Sequence, residues 1–139
     1  MKIKYSDIEL AYEFVSAEKP FMHTAILSKS EGKIYYHSEM GDNFEEMPEN
    51  IYGNDDYIEV PHKNDLDLGK RLVWRFVEKE IPGLKDKIRG FFSRKGAYSR
   101  YKAFLEQIGL LETWYEFESS ETQKALREWC EENEIEIDD

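Results

Sequence analysis

The sequence predicts an α+β fold: an N-terminal helix and a small antiparallel β-hairpin or sheet, followed by a bundle of four to five helices. Three observations predict it. Residues 21–39 hold two β-rich runs split by a glycine, and residues 64–129 repeat apolar side chains at helical spacing. Pro20, Pro61, Pro82, Gly96 and Gly109 punctuate the chain at the ends of such runs. The length of 139 residues is that of one domain, with an α-β part over about 1–62 and a helical part over about 63–133. The acidic C-terminus beyond it is expected to fray.

Ser6 followed by D-I-E reads as a capped start, with Glu9 at the reciprocal position of a capping box. Ile8, Ala11, Tyr12 and Val15 then share a face, so a helix is predicted over 6–17, closed by Pro20. F-M-H-T-A-I-L-S and I-Y-Y-H-S-E predict a hairpin turning at Glu31-Gly32, in which facing residue numbers sum to 63. Gly41 to Asp56 reads as an acidic loop, and Y-I-E-V before Pro61 as a third strand or a lead-in to the helices. Asn64 is placed to cap a helix carrying Leu68 or Leu72, Val73, Phe76, Val77 and Ile81, which Pro82 stops. Leu84, Ile88, Phe91 and Phe92 form a short stripe up to Gly96, and Ala97, Tyr101, Phe104, Leu105 and Ile108 a further one up to Gly109. L-L-E-T-W-Y-E-F reads as an aromatic connector, helical or turn-like, and Ser120 with Gln123 as a capping box opening a last helix with Thr122, Ala125, Leu126 and Trp129 inward.

Net charge is −11, which argues against generic nucleic-acid binding. The charge is unevenly laid out. Residues 1–62 carry net −8, residues 63–102 net +7 and residues 103–139 net −10. Lys2 and Lys4 meet Asp7 and Glu9 before any apolar stretch forms, so no signal peptide is read at this start. No apolar run approaches the roughly 18 residues of a membrane span, so no membrane partner is expected. One cysteine, Cys130, cannot make an internal disulfide; beside Trp129 on a helix it reads as a buried, inert thiol in a reducing, cytoplasmic setting.

G-A-Y-S-R-Y-K at 96–102 resembles the glycine-alanine-aromatic, two-residue gap, aromatic-lysine motif of the bacterial group called uncharacterised protein family 0158. The order of features is similar as well: a helix, a glycine-turn hairpin at 31–32, I-E-V-P at 58–61, a helix around Phe76, the glycine motif, W-Y-E-F at 114–117 and a helix ending A-L-R-E-W at 125–129. Tyr98 and Tyr101 stand where that pattern has phenylalanines. The resemblance implies no catalytic residue, cofactor or substrate.

The candidate binding residues lie in the cationic middle. Arg89, Arg94, Lys95, Arg100 and Lys102 interleave with Phe91, Phe92, Tyr98, Tyr101 and Phe104. Cations neutralise phosphates and ring faces stack bases, so 85–102 has the composition of a phosphate or nucleic-acid surface. The same rings sit at helical core spacing, so a helix junction with a solvated outer face is the preferred reading of the segment. Arg71, Arg75 and Lys79 form a basic stripe, with Asp67 and Glu78 placed to offset some of it; the acidic loop and acidic ends of the chain, rather than a partner, are expected to supply the remaining counter-charge of 63–102. Trp74 lies off the apolar face of its helix, as a contact residue or one packed under the hairpin, and Trp114 and Tyr115 add surplus aromatics.

No metal or other cofactor is expected. His23 and His37 fall on opposite faces of the predicted hairpin, and His62 has no partner at ligand spacing. The acids of 42–56 (Asp42, Glu45, Glu46, Glu49, Asp55, Asp56) lack the spacing of a calcium loop. The chain contains no G-x-S-x-G, phosphate-cradling glycine loop, H-E-x-x-H or dinucleotide fingerprint, so nothing in it marks an enzyme. The expected function is a non-catalytic protein-interaction or regulatory domain whose partner is a protein; the alternative is phosphate or nucleic-acid binding through 85–102. Oligomeric state is not legible.

Overall fold

In a computed structural model of the chain, the structure describes residues 2–41, 43 and 45–139. They form two compact units, Met1–Leu66 with Ala125–Asp139, and Asp67–Lys124. The predicted α+β order holds: a helix, a three-stranded antiparallel sheet, then four further α-helices.

The first unit begins with strand β1 (Ile3–Lys4), which runs directly into helix α1 (Tyr5–Ser16). Lys4, not Ser6, holds the cap position, and no side chain caps the helix. The strand delivers an extended residue at position 4, so the turn starts one residue before the predicted box. Helix α1 buries Ile8, Ala11, Tyr12 and Val15, the predicted face.

Strands β2 (His23–Ser28), β3 (Lys33–Ser38) and β4 (Tyr57–Glu59) pair in the order β3-β2-β4. The hairpin register differs from expectation. His23 faces Ser38 and Thr24 faces His37, so facing numbers sum to 61 rather than 63. The turn opens earlier because Lys29–Gly32 is looped out: Gly32 adopts φ 67° and donates its N–H to the Ser28 carbonyl. The Asp56 carboxylate fixes this loop by accepting from the Ser28 hydroxyl at 2.7 Å and the Ser30 N–H at 2.8 Å. A shift of two residues keeps parity, so His23 and His37 still point to opposite faces.

The acidic tail is ordered rather than frayed. Ile135 is buried, and strand β5 (Ile137–Asp138) pairs in parallel with β1, Ile3 against Ile137. E-I-E-I-D alternates apolar and acidic side chains, a strand pattern that overrides its charge. Arg127 binds Asp139 at 2.7 Å and lies over the Tyr5 ring at 4.3 Å.

A 3-10 turn at Lys63–Leu66 stands where Asn64 was expected to cap a helix. Asp65 accepts the His62 N–H, and Asp67 takes φ 57°, so α2 (Lys70–Glu80) begins only after Gly69. It ends before Pro82, as the proline requires. Helices α3 (Lys85–Phe91) and α4 (Ala97–Gln107) follow, separated by Gly96 at φ 76°. Helix α5 (Leu111–Glu132) is continuous. Ser120 does not open a new helix: with no proline or glycine between 111 and 132, nothing interrupts the helix, and a capping preference alone does not start another. The second unit holds α5 up to Lys124, and the first unit the remainder.

Candidate functional site

The second unit is built on rings in mutual contact. Trp114 packs edge-on against Phe76 at 5.3 Å and Tyr101 at 5.1 Å, and Phe117 lies 5.4 Å from Phe76. Phe92 continues the series to Tyr98, Tyr101 and Trp74 at 5.1, 5.8 and 6.0 Å. Trp114, at 1% exposure, is core rather than surplus, and Trp74 is half-buried against Phe92. Burial drives the Tyr101 hydroxyl well above the usual phenol range, with Glu118 adding to the rise.

The basic side chains are engaged locally. Arg71 pairs with Asp67 at 2.9 Å, Lys85 with Glu78, and Arg89 with Asp86 at 2.9 Å; Arg75 reaches Glu121 at 3.7 Å. Three of these four acids lie inside the basic segment itself, and the fourth in α5. Glu45 pairs instead with Lys33 and Asp139 with Arg127, both within the first unit. Lys70, Lys79, Lys87 and Lys102 lie over the rings of Phe92, Phe117, Phe104 and Tyr115. Arg100 turns back and donates to the carbonyls of Phe91, Arg94 and Lys95. R-K-G-A-Y-S-R-Y-K is therefore a helix junction: Gly96 supplies the left-handed residue, and Arg100 satisfies carbonyls left free at the end of α3. Of the predicted binding residues, Arg94 and Lys95 remain exposed and without an ion pair among the described residues.

The first unit is arranged differently. Helix α1 covers one face of its sheet, where Phe14 stacks on His23 at 4.3 Å and meets Tyr36 edge-on at 5.1 Å. The opposite face carries Thr24, Ile26, His37, Tyr57 and Glu59, because side chains alternate along each strand. These residues floor a groove of about 1110 Å³. Its walls come from the 47–55 loop, Phe21, Asn133 and Glu134. Phe21 is 86% exposed and Tyr52 98% exposed. Phe21 and Glu134 both adopt left-handed backbone, at φ 74° and 56°, which costs free energy for a side chain with a Cβ. The carboxylates of Glu39, Asp55, Glu59 and Glu134 outnumber the single lysine, Lys29. A smaller cleft of about 220 Å³ adjoins it, sharing Phe21 and Glu59 and reaching Val15, Val60 and His62.

Sequence reasoning directed attention to 85–102 and missed this groove. Its signal was present: Phe21 follows Pro20 and Tyr52 precedes Gly53, large rings beside chain breakers, and the β-rich run that opens with Phe21 becomes strand only at His23.

The histidines are engaged separately. His23 Nδ1 bonds the Phe14 carbonyl and His37 Nε2 lies 3.2 Å from Glu39. His62 Nδ1 accepts the Asn64 N–H while Nε2 donates to the Glu18 carbonyl. Among the described residues no cluster of three or more His, Cys, Asp or Glu is placed to hold a metal ion; Asp42, one of the acids of the loop, lies outside them. Burial raises the Cys130 thiol to about 11. Among the described residues no helix is long and apolar enough to cross a membrane. No family model matches the chain, and neither a curated protein nor a solved structure matches it.

Proposed function

We propose that the chain is a non-catalytic, cytoplasmic protein-interaction domain, and that its binding surface is the groove on the uncovered face of the three-stranded sheet. The observation that carries this reading is the pair of rings at its rim: Phe21 and Tyr52 are 86% and 98% exposed, beside Ile26 of the floor and Met47 and Ile51 of the wall. Exposed aromatics around a concave apolar surface are what interface hot spots are made of. The acidic rim selects a partner segment of the opposite charge. We further propose membership of the family that the feature order and the 96–102 motif resemble.

A displayed library of random peptides tests the reading. Selection on the full chain enriches sequences that combine apolar residues with lysine or arginine, and Phe21→Ala with Tyr52→Ala removes the enrichment. Enrichment that ignores both substitutions, or none above a control surface, overturns the reading. The alternative rests on exposed Arg94 and Lys95 and predicts salt-dependent oligonucleotide binding, lost on reversing both charges.

A further inference from the structure

Resting on that reading, we infer that the groove takes its partner by strand addition: an extended, lysine- or arginine-bearing segment of another protein pairs with the outer edge of β4.

The two edges of the sheet differ. In β3 the outward backbone groups belong to Ile34, Tyr36 and Ser38, because residues 33, 35 and 37 bond β2. The chain's own loop covers this edge at Tyr36 and Ser38, leaving the Ile34 groups and the Tyr36 carbonyl outside that cover. Tyr36 N–H donates to Glu45 Oε1 at 3.4 Å, Ser38 N–H to Asn43 Oδ1 at 2.7 Å, and Asn43 Nδ2 donates to the Ser38 carbonyl at 3.0 Å. Side chains used in this way are how proteins stop an edge from recruiting another strand.

The edge of β4 has no such cover. Val60 donates its N–H to the Ala25 carbonyl and Lys29 donates to the Asp56 carbonyl, so the alternation turns Ile58 toward β2 and Tyr57 and Glu59 outward. Tyr57 N–H is used by the Asn54 carbonyl. The Glu59 N–H and the carbonyls of Tyr57 and Glu59 have no hydrogen-bond partner among the described residues, and Glu59 is exposed. Three backbone groups in register form the minimum template for one more strand.

Cavities lie on both sides of that edge. The groove adjoins Tyr57 and Glu59 on the face away from α1, and the smaller cleft adjoins Val60 on the face toward it. An added strand directs alternate side chains to the two faces, one set over Ile26 and Tyr57 and the other toward Val15 and Val60. Backbone bonds then give affinity and the two hollows give selectivity, which is the logic of β-augmentation. The occupant follows from charge. Glu39, Asp55, Glu59 and Glu134 around the groove and Asp65 in the cleft favour cations on the incoming strand. A second copy of this chain, with net charge −11, is disfavoured.

The experiment uses the full chain and a short acetylated, amidated peptide alternating lysine and valine, with binding read by fluorescence anisotropy. A glutamate–valine peptide is the charge control. Glu59→Pro removes the outward N–H and leaves every bond to β2, since proline is tolerated where the amide faces solvent at an edge; Glu59→Gln keeps the amide and loses the charge. The lysine–valine peptide binds, the control does not, Glu59→Pro weakens binding about tenfold or more, and Glu59→Gln weakens it less. N-methylating the peptide amides on the pairing edge abolishes binding to the unaltered protein, while N-methylating the alternate amides does not. That arm holds whether or not the proline variant folds. If both methylated series and Glu59→Pro bind as the parent does while Phe21→Ala loses binding, strand addition is overturned and the groove reading survives. If no peptide binds and the library also fails, both fall. If the chain is a dimer that Glu59→Pro dissociates, the occupant is a second copy and the inference is overturned.

Discussion

The helical unit and the sheet unit use their aromatic residues in opposite ways. In residues 67–124 the rings of Trp114, Phe76, Tyr101 and Phe92 touch one another, and lysines lie over the outer rings. In the first unit Phe21 and Tyr52 stand in solvent beside a groove. The basic, aromatic stretch that looks most like a binding site is thus a helix junction whose rings pack inward and most of whose charges are engaged within the unit. The plainer stretch carries the open surface. Local density of interesting residues measures how much chemistry a segment contains, not how much of it faces outward.

The widest separation between the two regions comes from truncating one ring in each. Trp114→Ala opens a cavity among Phe76, Tyr101 and Phe117 and costs about 3–5 kcal/mol in urea unfolding. Phe21→Ala and Tyr52→Ala cost less than about 0.5 kcal/mol, because nothing packed is lost. Equal destabilisation from both classes breaks the comparison.

Arg100→Ala follows in size. Its guanidinium holds three carbonyls between α3 and α4, so losing it costs about 1–2 kcal/mol, against roughly nothing for Arg94→Ala. A phosphate-gripping Arg100 predicts the reverse: unchanged stability and lost oligonucleotide binding.

Tyr101→Phe works in the other direction. The Tyr101 hydroxyl is buried with no hydrogen-bond partner among the described residues, so removing it raises stability by up to about 1 kcal/mol. A loss of stability on calorimetry reveals a partner for that oxygen and sharpens the description of the helical core.

The smallest effect concerns the hairpin loop. The Asp56 carboxylate is held below its ordinary 3.8, first by the Ser28 hydroxyl, with the Ser30 amide and hydroxyl also contributing and desolvation opposing. A depressed acid contributes stability that is present above its unfolded value and lost as pH falls through the folded one. The urea midpoint therefore declines below about pH 4, and Asp56→Asn lowers the neutral-pH midpoint while flattening that decline. An unchanged acid limb removes Asp56 from the account of the loop.

What was legible in the sequence follows the range of the interactions. The faces of α1 and α2, the stop before Pro82 and the breaks at Gly96 and Gly109 depend on residues within a few positions, and these were read correctly. The β1–β5 pairing joins the two ends of the chain, and the hairpin register depends on Asp56 reaching back to Ser28 and Ser30; neither leaves a local trace. The continuity of α5 through Ser119 and Ser120 was missed because a capping preference does not break a helix that holds no proline or glycine between 111 and 132. The groove draws on Phe21, Ile26, Tyr57 and Glu134, and only the fold brings them together.

Backbone amide shifts of the labelled full chain, followed by NMR during parallel titrations with the lysine–valine peptide and with a single-stranded oligonucleotide, test the central claim most directly. The account predicts peptide-dependent shifts centred on Phe21, Ile26, Tyr57 and Glu59, with 85–102 unmoved by either ligand. Shifts confined to Arg94, Lys95 and their neighbours on adding the oligonucleotide, with the sheet silent to the peptide, contradict it.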